Sequence, residues 1–367
     1  MLGRRIFITL FAGSALFAVL SLFTLKNQEP EVTETQIVYA VAAESDGRFD
    51  SRYVYNTLNS TEKELYRIIY DTLQSFEPSD AILYGSGDVQ RVYDYVSLDS
   101  PELFYVTGIK IVKHTSSDAE YLTIEGDYSM TENEADRARQ DISEEVSSFL
   151  STIPSNASDY DRVKLAYEYV ASVTDYVPGA PFNQSIYSVF IGRKSVCMGY
   201  AKAFQYLMYE QGIPCILVTG VTGEYNASHA WDMVRVDGDY YHVDPTWGDM
   251  YGSGVMSYDF LLVDDATVSM NHRILSDIEY PACTSMRLNY YVVNGTYITD
   301  KNTEHIGSLL SDIGNSEEVT LKFATNSLMQ FYEQYLIQEK NMFQWMSGEV
   351  NYIINREMLT MTITKGR

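Results

Sequence analysis

Cysteine is scarce in this chain of 367 residues, with only Cys197, Cys215 and Cys283. So small a number excludes a disulfide-stapled scaffold, and no Cys-x-x-Cys pair supplies the close ligand spacing of a structural zinc site. Basic residues are also in short supply, 26 Lys and Arg against 50 Asp and Glu, which leaves a net charge of −24. Binding phosphates takes clustered Lys and Arg, so a nucleic-acid partner is excluded. Histidine occurs five times, leaving few imidazoles for acid–base work near neutral pH. There is no internal repeat, and long apolar runs free of charge are absent with one exception.

The exception is the start, "MLGRRIFITLFAGSALFAVLSLFTLKNQEP", where Arg4 and Arg5 precede twenty uncharged residues from Ile6 to Leu25. That length spans a bilayer, and the arginines would stay on the cytoplasmic side. The small-residue site at Tyr39 to Ala43 lies well past the apolar run, so residues 1–26 are expected to be a retained anchor, with a cleaved signal as the alternative. Either way the protein is expected to work outside the cytoplasm, touching the membrane through this segment only. An odd number of thiols in an oxidising compartment leaves at least one unpaired. A lone thiol there is either buried or used.

The remaining pattern predicts an α+β fold. Residues 27–50 are polar and read as a spacer. Residues 51–154 form an N-terminal α+β region, with a helix over "STEKELYRIIYDTLQSF" capped by Ser60 or Thr61, two strands, and a helix over "TENEADRARQDISEEVSSFLSTI". Residues 155–280 carry the motifs that bear chemistry. Residues 281–367 read as a small α/β segment, with strands over "RLNYYVVNGTYI", "EEVTLKFA" and "VNYIINREMLTMTIT" and helices between them.

In "GRKSVCMGYAKAFQYLMYEQGIP", apolar residues recur at helical spacing from Tyr200 to Met208, and Gly212 and Pro214 stop the helix. Ser195 is the expected N-cap, which puts Cys197 in the first turn. Unpaired N–H groups and the positive end of the helix dipole there stabilise a thiolate and can hold an oxyanion. A free cysteine is also among the most buried residue types, so helix position alone leaves an inert thiol open.

His229 opens "SHAWDMVRVDGDYYHVDPTWGD", where Asp237-Gly238 signals a two-residue hairpin turn. With that turn Val236 faces Asp239 and, by extension, His229 faces Thr246. Asp244 is then a diagonal neighbour of His229 on the same face, about 7–8 Å away between backbone positions. A thiolate, an imidazole and a carboxylate are the nucleophile, base and orienter of covalent acyl transfer. His242 lies on the same face and competes with His229 for the base. Asp244 before Pro245 can equally be a turn former. Cys197, His229, His242 and Asp244 could also be zinc ligands, although no tight His-x-x-x-His pair exists.

Taken together, "SVCMGYAKAFQYLMYEQGIPCILVTG" and "HAWDMVRVDGDYYHVDPTWGD" resemble the core of the transglutaminase-like superfamily: Ser-Val-Cys before a helix ending in Gly-Ile-Pro, then His-Ala-Trp, then Asp-Pro-Thr. The resemblance implies a papain-like α+β core with Cys197 as nucleophile, His229 as base and acid, and Asp244 as orienter. It implies acyl transfer on protein or peptide amides through a thioester, ending in hydrolysis or cross-linking, without a cofactor or metal. Gln184 or Asn183, in the loop before the cysteine, are the candidates for a second oxyanion donor. Trp231 and Trp247 flank the triad positions and are expected to pack the core or wall the cleft. Cys215 and Cys283 are expected to be inert. The substrates expected are surface proteins or cell-wall peptides of a bacterium. The alternative is a surface binding module built on the same core without catalysis.

Overall fold

The computed structural model describes residues 5–7, 21–23 and 47–366, except 84, 86, 116–119, 249–255 and 314–317. Near the start, β1 (Arg5–Phe7) pairs antiparallel with β2 (Ser21–Phe23). The rest of the apolar run expected as an anchor lies outside the described residues, as does most of the spacer. No helix among the described residues is long and apolar enough to cross a membrane.

The folded part takes up the chain at Gly47, inside the segment expected to be spacer through residue 50. Phe49 is the reason: it is 2% exposed and packs edge-on against Tyr66 and Tyr70. Helix α1 (Tyr53–Thr57) leads into α2 (Ser60–Ser75). The cap of α2 is Asn59 and not Ser60 or Thr61. Its side chain accepts from the Glu62 N–H while Glu62 reaches back to the Asn59 N–H, a reciprocal capping box. Strand β3 (Ile82–Leu83), helix α3 (Val89–Asp99), and strands β4 (Val106–Thr115) and β5 (Glu120–Tyr128) follow, with sheet order β3-β5-β4. Helix α4 (Glu132–Thr152), capped by Thr131, closes this region.

Then come α5 (Asp159–Val173), β6 (Asp175–Tyr176), α6 (Ile186–Phe190), β7 (Lys194–Ser195) and α7 (Cys197–Glu210). Strands β8 (Cys215–Thr222), β9 (Ala227–Val236), β10 (Asp239–Val243) and β11 (Leu261–Val263), helix α8 (Asp265–Val268) and β12 (His272–Ile274) complete an antiparallel sheet of order β11-β10-β9-β8-β12. The sheet is buried on both faces. Val234, Val236 and Tyr241 join the main core with Phe204 and Leu207 of α7, while Ile216, Val218, Trp231 and Met233 pack with Phe260 on the other side. The main core runs without a break from Phe49 through Phe149 to Leu262, so the boundary expected near residue 154 does not divide the interior.

The C-terminal residues have a core of their own around Ile306, Leu321, Met329 and Tyr332. Helix α9 (Tyr290–Val293), β13 (Tyr297–Ile298), α10 (Thr303–Ser311), β14 (Glu318–Phe323), α11 (Asn326–Tyr332), β15 (Val350–Asn355) and β16 (Thr360–Lys365) form a sheet of order β13-β14-β16-β15. Two expectations fail here. "NYYVV" reads as a strand from its aromatic and branched residues, but the Asn289 side chain accepts from the Tyr291 N–H and starts a helical turn. "VNYIINREMLTMTIT" is a hairpin of two strands, β15 and β16, and not one strand.

Candidate active site

Cys197 is the first residue of α7, and the residue capping that helix is Val196, whose side chain makes no cap bond. Ser195, expected to be the cap, is instead extended in β7, which pairs in parallel with β6 so that Tyr176 lies opposite Ser195. The Ser195 hydroxyl is spent inward, donating to the Asn183 carbonyl at 2.7 Å and bonding the Ser188 hydroxyl at 2.7 Å. The chain therefore enters α7 braced from two sides, with the Cys197 N–H among the orphan donors of the first turn. The thiol is half-buried.

Gly199 keeps this entry tight. A Cβ built on it would lie 1.9 Å from Ser195 Oγ and 3.0 Å from the Asn183 carbonyl oxygen, and the serine is pinned by its own bonds. Gly199→Ala is expected to destabilise the fold by about 1–3 kcal/mol, measured by urea unfolding, and to slow alkylation of Cys197.

The hairpin forms as its turn residues dictate. Asp237 (φ +50°) and Gly238 (φ +93°) both take positive φ, as a type I′ turn requires, and Val236 pairs with Asp239. That register holds through Val243 opposite Asp232 and then stops. Thr246 does not pair with His229, because Asp244 leaves the strand and caps a short 3-10 turn, Pro245–Trp247. Asp244 is thus the turn former and also the partner of His229: Oδ1 accepts from the Thr246 N–H at 3.0 Å, and Oδ2 accepts from His229 Nε2 at 2.6 Å.

A third donor, from a residue that sequence reasoning passed over, completes the arrangement. His272 on β12 donates from Nε2 to the same Asp244 Oδ2 at 3.0 Å. Its Nδ1 is buried and has no hydrogen-bond partner among the described residues. Burial works against a charge on Asp244, but His229 and His272 hold its carboxyl well below the usual carboxylate range. Burial likewise opposes charge on His229, and it is outweighed by Asp244 and by a hydrogen bond with Cys197, which together hold the ring up at about 10. Nε2 is committed to Asp244, so the ring nitrogen turned to the thiol is Nδ1.

His242, the competitor for the base, is engaged elsewhere. Its Nδ1 accepts from Trp231 Nε1 at 3.0 Å and its Nε2 donates to Asp265 Oδ1 at 2.9 Å. The alternative zinc set is split. Among the described residues His229 groups with Asp244 and His272, whereas His242 groups with Asp265 and Cys283. Trp231 is fully buried behind His229, and Trp247 packs on Phe260 and His272. Cys215 and Cys283 are buried; burial pushes the first well above its ordinary value and the second up to about 12.

The two oxyanion candidates sit in the loop before the cysteine. Asn183 spends its side-chain amide on the Pro178 carbonyl at 2.5 Å and its own carbonyl on the Val196 N–H at 2.9 Å. Gln184 lines a cavity whose walls do not include Cys197. The side chain that does meet the cysteine is Tyr176, about half exposed at 53%. Its hydroxyl lies within hydrogen-bonding reach of both the Cys197 sulfur and the Cys197 N–H; burial and then the sulfur push its ionisation up. No periodicity marks this tyrosine, because the β6–β7 pairing that delivers it joins two short segments far apart in sequence.

Residues 149–245 match the model of the transglutaminase-like superfamily. No curated protein matches the sequence. Similar solved structures include a crystal structure of a TGase, 14% identical with a TM-score of 0.28, covering 46% of this chain and 51% of that one. A putative cysteine protease from Cytophaga hutchinsonii is 12% identical with a TM-score of 0.27, covering 48% and 79%. The periplasmic domain of TgpA from Pseudomonas aeruginosa, bound to ethylmercury, is 14% identical with a TM-score of 0.23, covering 35% and 55%. This chain spans about half the length of the first of these.

Proposed function

We propose that this chain, whose residues 149–245 belong to the transglutaminase-like superfamily, transfers acyl groups from protein or peptide amides through a thioester on Cys197. The observation that carries the reading is the His229–Asp244 pair at 2.6 Å, with the other face of the imidazole turned to a cysteine at a helix start. The Cys197 sulfur attacks the amide carbonyl carbon and the carbonyl electrons move onto oxygen. As the tetrahedral adduct collapses, the C–N bond breaks and His229 gives its Nδ1 proton to the departing amine. Water or an amine then attacks the thioester, His229 takes its proton, and the sulfur leaves as thiolate. Water yields an acid and an amine yields a new amide.

The Cys197 N–H is one donor for the negative oxygen of the adduct. Tyr176 is the second, in place of Gln184 or Asn183. The ring lies beside Cys197, and being half-exposed it can swing aside and present its O–H to a carbonyl oxygen held there. The apolar run after Arg4 and Arg5 supports an extracytoplasmic site of action on surface proteins or wall peptides.

Casein and dansylcadaverine, a fluorescent primary amine, test the reaction and its outcome together. Fluorescence incorporated into casein marks transfer to amines, and new peptide termini without incorporation mark hydrolysis; either must vanish in Cys197→Ala. If wild type yields neither, the non-catalytic binding module replaces this reading. Tyr176→Phe is expected to lower kcat by about 10²-fold with little change in KM, while iodoacetamide labelling, which builds no oxyanion, is not slowed. Equal losses in both assays would make Tyr176 a wall of the cleft.

A further inference from the structure

Lys202 lies about one and a half turns along α7 from Cys197. It is the one charged residue lining a cavity of about 370 Å³ between α3, the start of β4 and the loop at residues 182–185. The side chain keeps partial exposure although protein surrounds it, which puts the exposed part in the cavity. Among the described residues it makes no hydrogen bond and no ion pair. The nearest carboxylate influence is Glu102, which is itself taken by Arg52 Nη2 at 2.8 Å and by the Tyr70 hydroxyl at 3.1 Å.

An interior ammonium without a carboxylate is unusual in any protein. It is more so in a chain with 50 acidic residues to choose from. The remaining walls define what fits. Val96, Leu103 and Phe104 are apolar, while Ser97 and Thr107 bring hydroxyls. One cation among apolar, hydroxyl and amide groups, the amides being Asn183 and Gln184, matches a single negative charge on an apolar body, and it would leave a phosphate dianion half compensated.

We propose that this cavity is a binding site for a carboxylate carried on an apolar group, with Lys202 as the counter-ion and Val96, Leu103 and Phe104 around the apolar part. The site does not rest on the acyl-transfer reading. It shares with the cysteine α7, which carries Lys202, and the 182–185 loop, where Asn183 both lines the cavity and accepts from the Val196 N–H.

Burial pushes Lys202 down to about 8, with Glu102 pulling the other way. Of the other groups nearby, Glu102 and Arg52 pair with each other, and burial pushes Tyr93 well above the ordinary phenol range. Carboxylate binding should therefore be strong below about pH 8 and fade as Lys202 loses its proton.

Calorimetry on the full chain with 4-phenylbutyrate and its neutral amide tests this directly. At about pH 6.5 the acid is expected to bind at least ~10-fold more tightly than the amide, and at about pH 9.5 the gap should close. Lys202→Met should close it at both pH values, and Lys202→Arg should keep it open at both. Equal affinities for acid and amide in wild type at the lower pH, or no binding by either, would overturn the site. So would a gap that survives Lys202→Met. The wild-type pH series needs no variant to fold, and alkylation of Cys197 reports separately on the catalytic reading.

Discussion

His229→Ala is expected to lower amide turnover by about 10⁴–10⁶-fold, because the same ring serves as acid to the leaving amine and as base to the second nucleophile. A second readout isolates its effect on the sulfur. With the ring held up at about 10 by Asp244 and Cys197, against its own burial, His229 is an imidazolium across the neutral range. A positive charge beside a sulfur makes it the better nucleophile, so brief iodoacetamide treatment at about pH 7 should modify Cys197 faster in wild type than in His229→Ala. Removing the ring removes that charge, and labelling should slow. Mass spectrometry of the alkylated chain measures both, and the buried Cys215 and Cys283 serve as internal controls. Equal labelling rates in wild type and variant would mean that the imidazole does not activate the thiol, whatever its distance.

Much of this site could be read before any coordinates, and the readable parts share a cause. A helix start, a two-residue turn and a strand register are local, set by residues within a few positions of each other. Asp237-Gly238 carries the hairpin, the hairpin carries the register through Val243, and the register brings Asp244 within reach of His229. The resemblance then separates His229 from His242, and the structure shows why they differ: His242 is clamped between Trp231 and Asp265.

What escaped notice comes from distant segments. His272 reaches Asp244 from a three-residue strand at the sheet edge, paired with β8 some fifty residues earlier. Tyr176 reaches Cys197 through a two-residue parallel pairing, too short to leave a pattern. Lys202 sits on a helical face that reads as solvent-facing, and only the packing of α3 and β4 over it makes it interior. The caps of α2 and α7 lie at Asn59 and Val196, one or two positions from Ser60 or Thr61 and one from Ser195, because a side-chain bond and a strand pairing decide between neighbouring candidates.

Asp244→Ala should cost more stability than any other single change at the site. Three donors converge on this carboxylate, His229 at 2.6 Å, His272 at 3.0 Å and the Thr246 N–H at 3.0 Å, the two histidine bonds buried and the third partly so. Deleting it leaves a buried histidine charge uncompensated and two further N–H groups unpaired, a loss of about 3–5 kcal/mol. The pH dependence follows from the two ionisations. Asp244 is held below its ordinary range in the folded chain, so its contribution is present above about pH 4 and is lost as pH falls through the folded value. His229 is raised to about 10, so its contribution is complete below about pH 6.5, its unfolded value, and is lost as pH rises through 10. These describe one interaction from its two ends and count once. Urea unfolding of wild type and Asp244→Ala should therefore differ most between about pH 4 and 6.5, and the difference should shrink steadily toward pH 10. Asp244→Asn keeps the shape and the oxygen that accepts from Thr246, so it should recover part of the stability. It should not recover activity: an amide lacks the charge that holds His229 protonated, and turnover should stay down by about 10⁴-fold. A penalty for Asp244→Ala that is flat from pH 4 to 10 would mean the carboxylate serves only as the cap of the 3-10 turn.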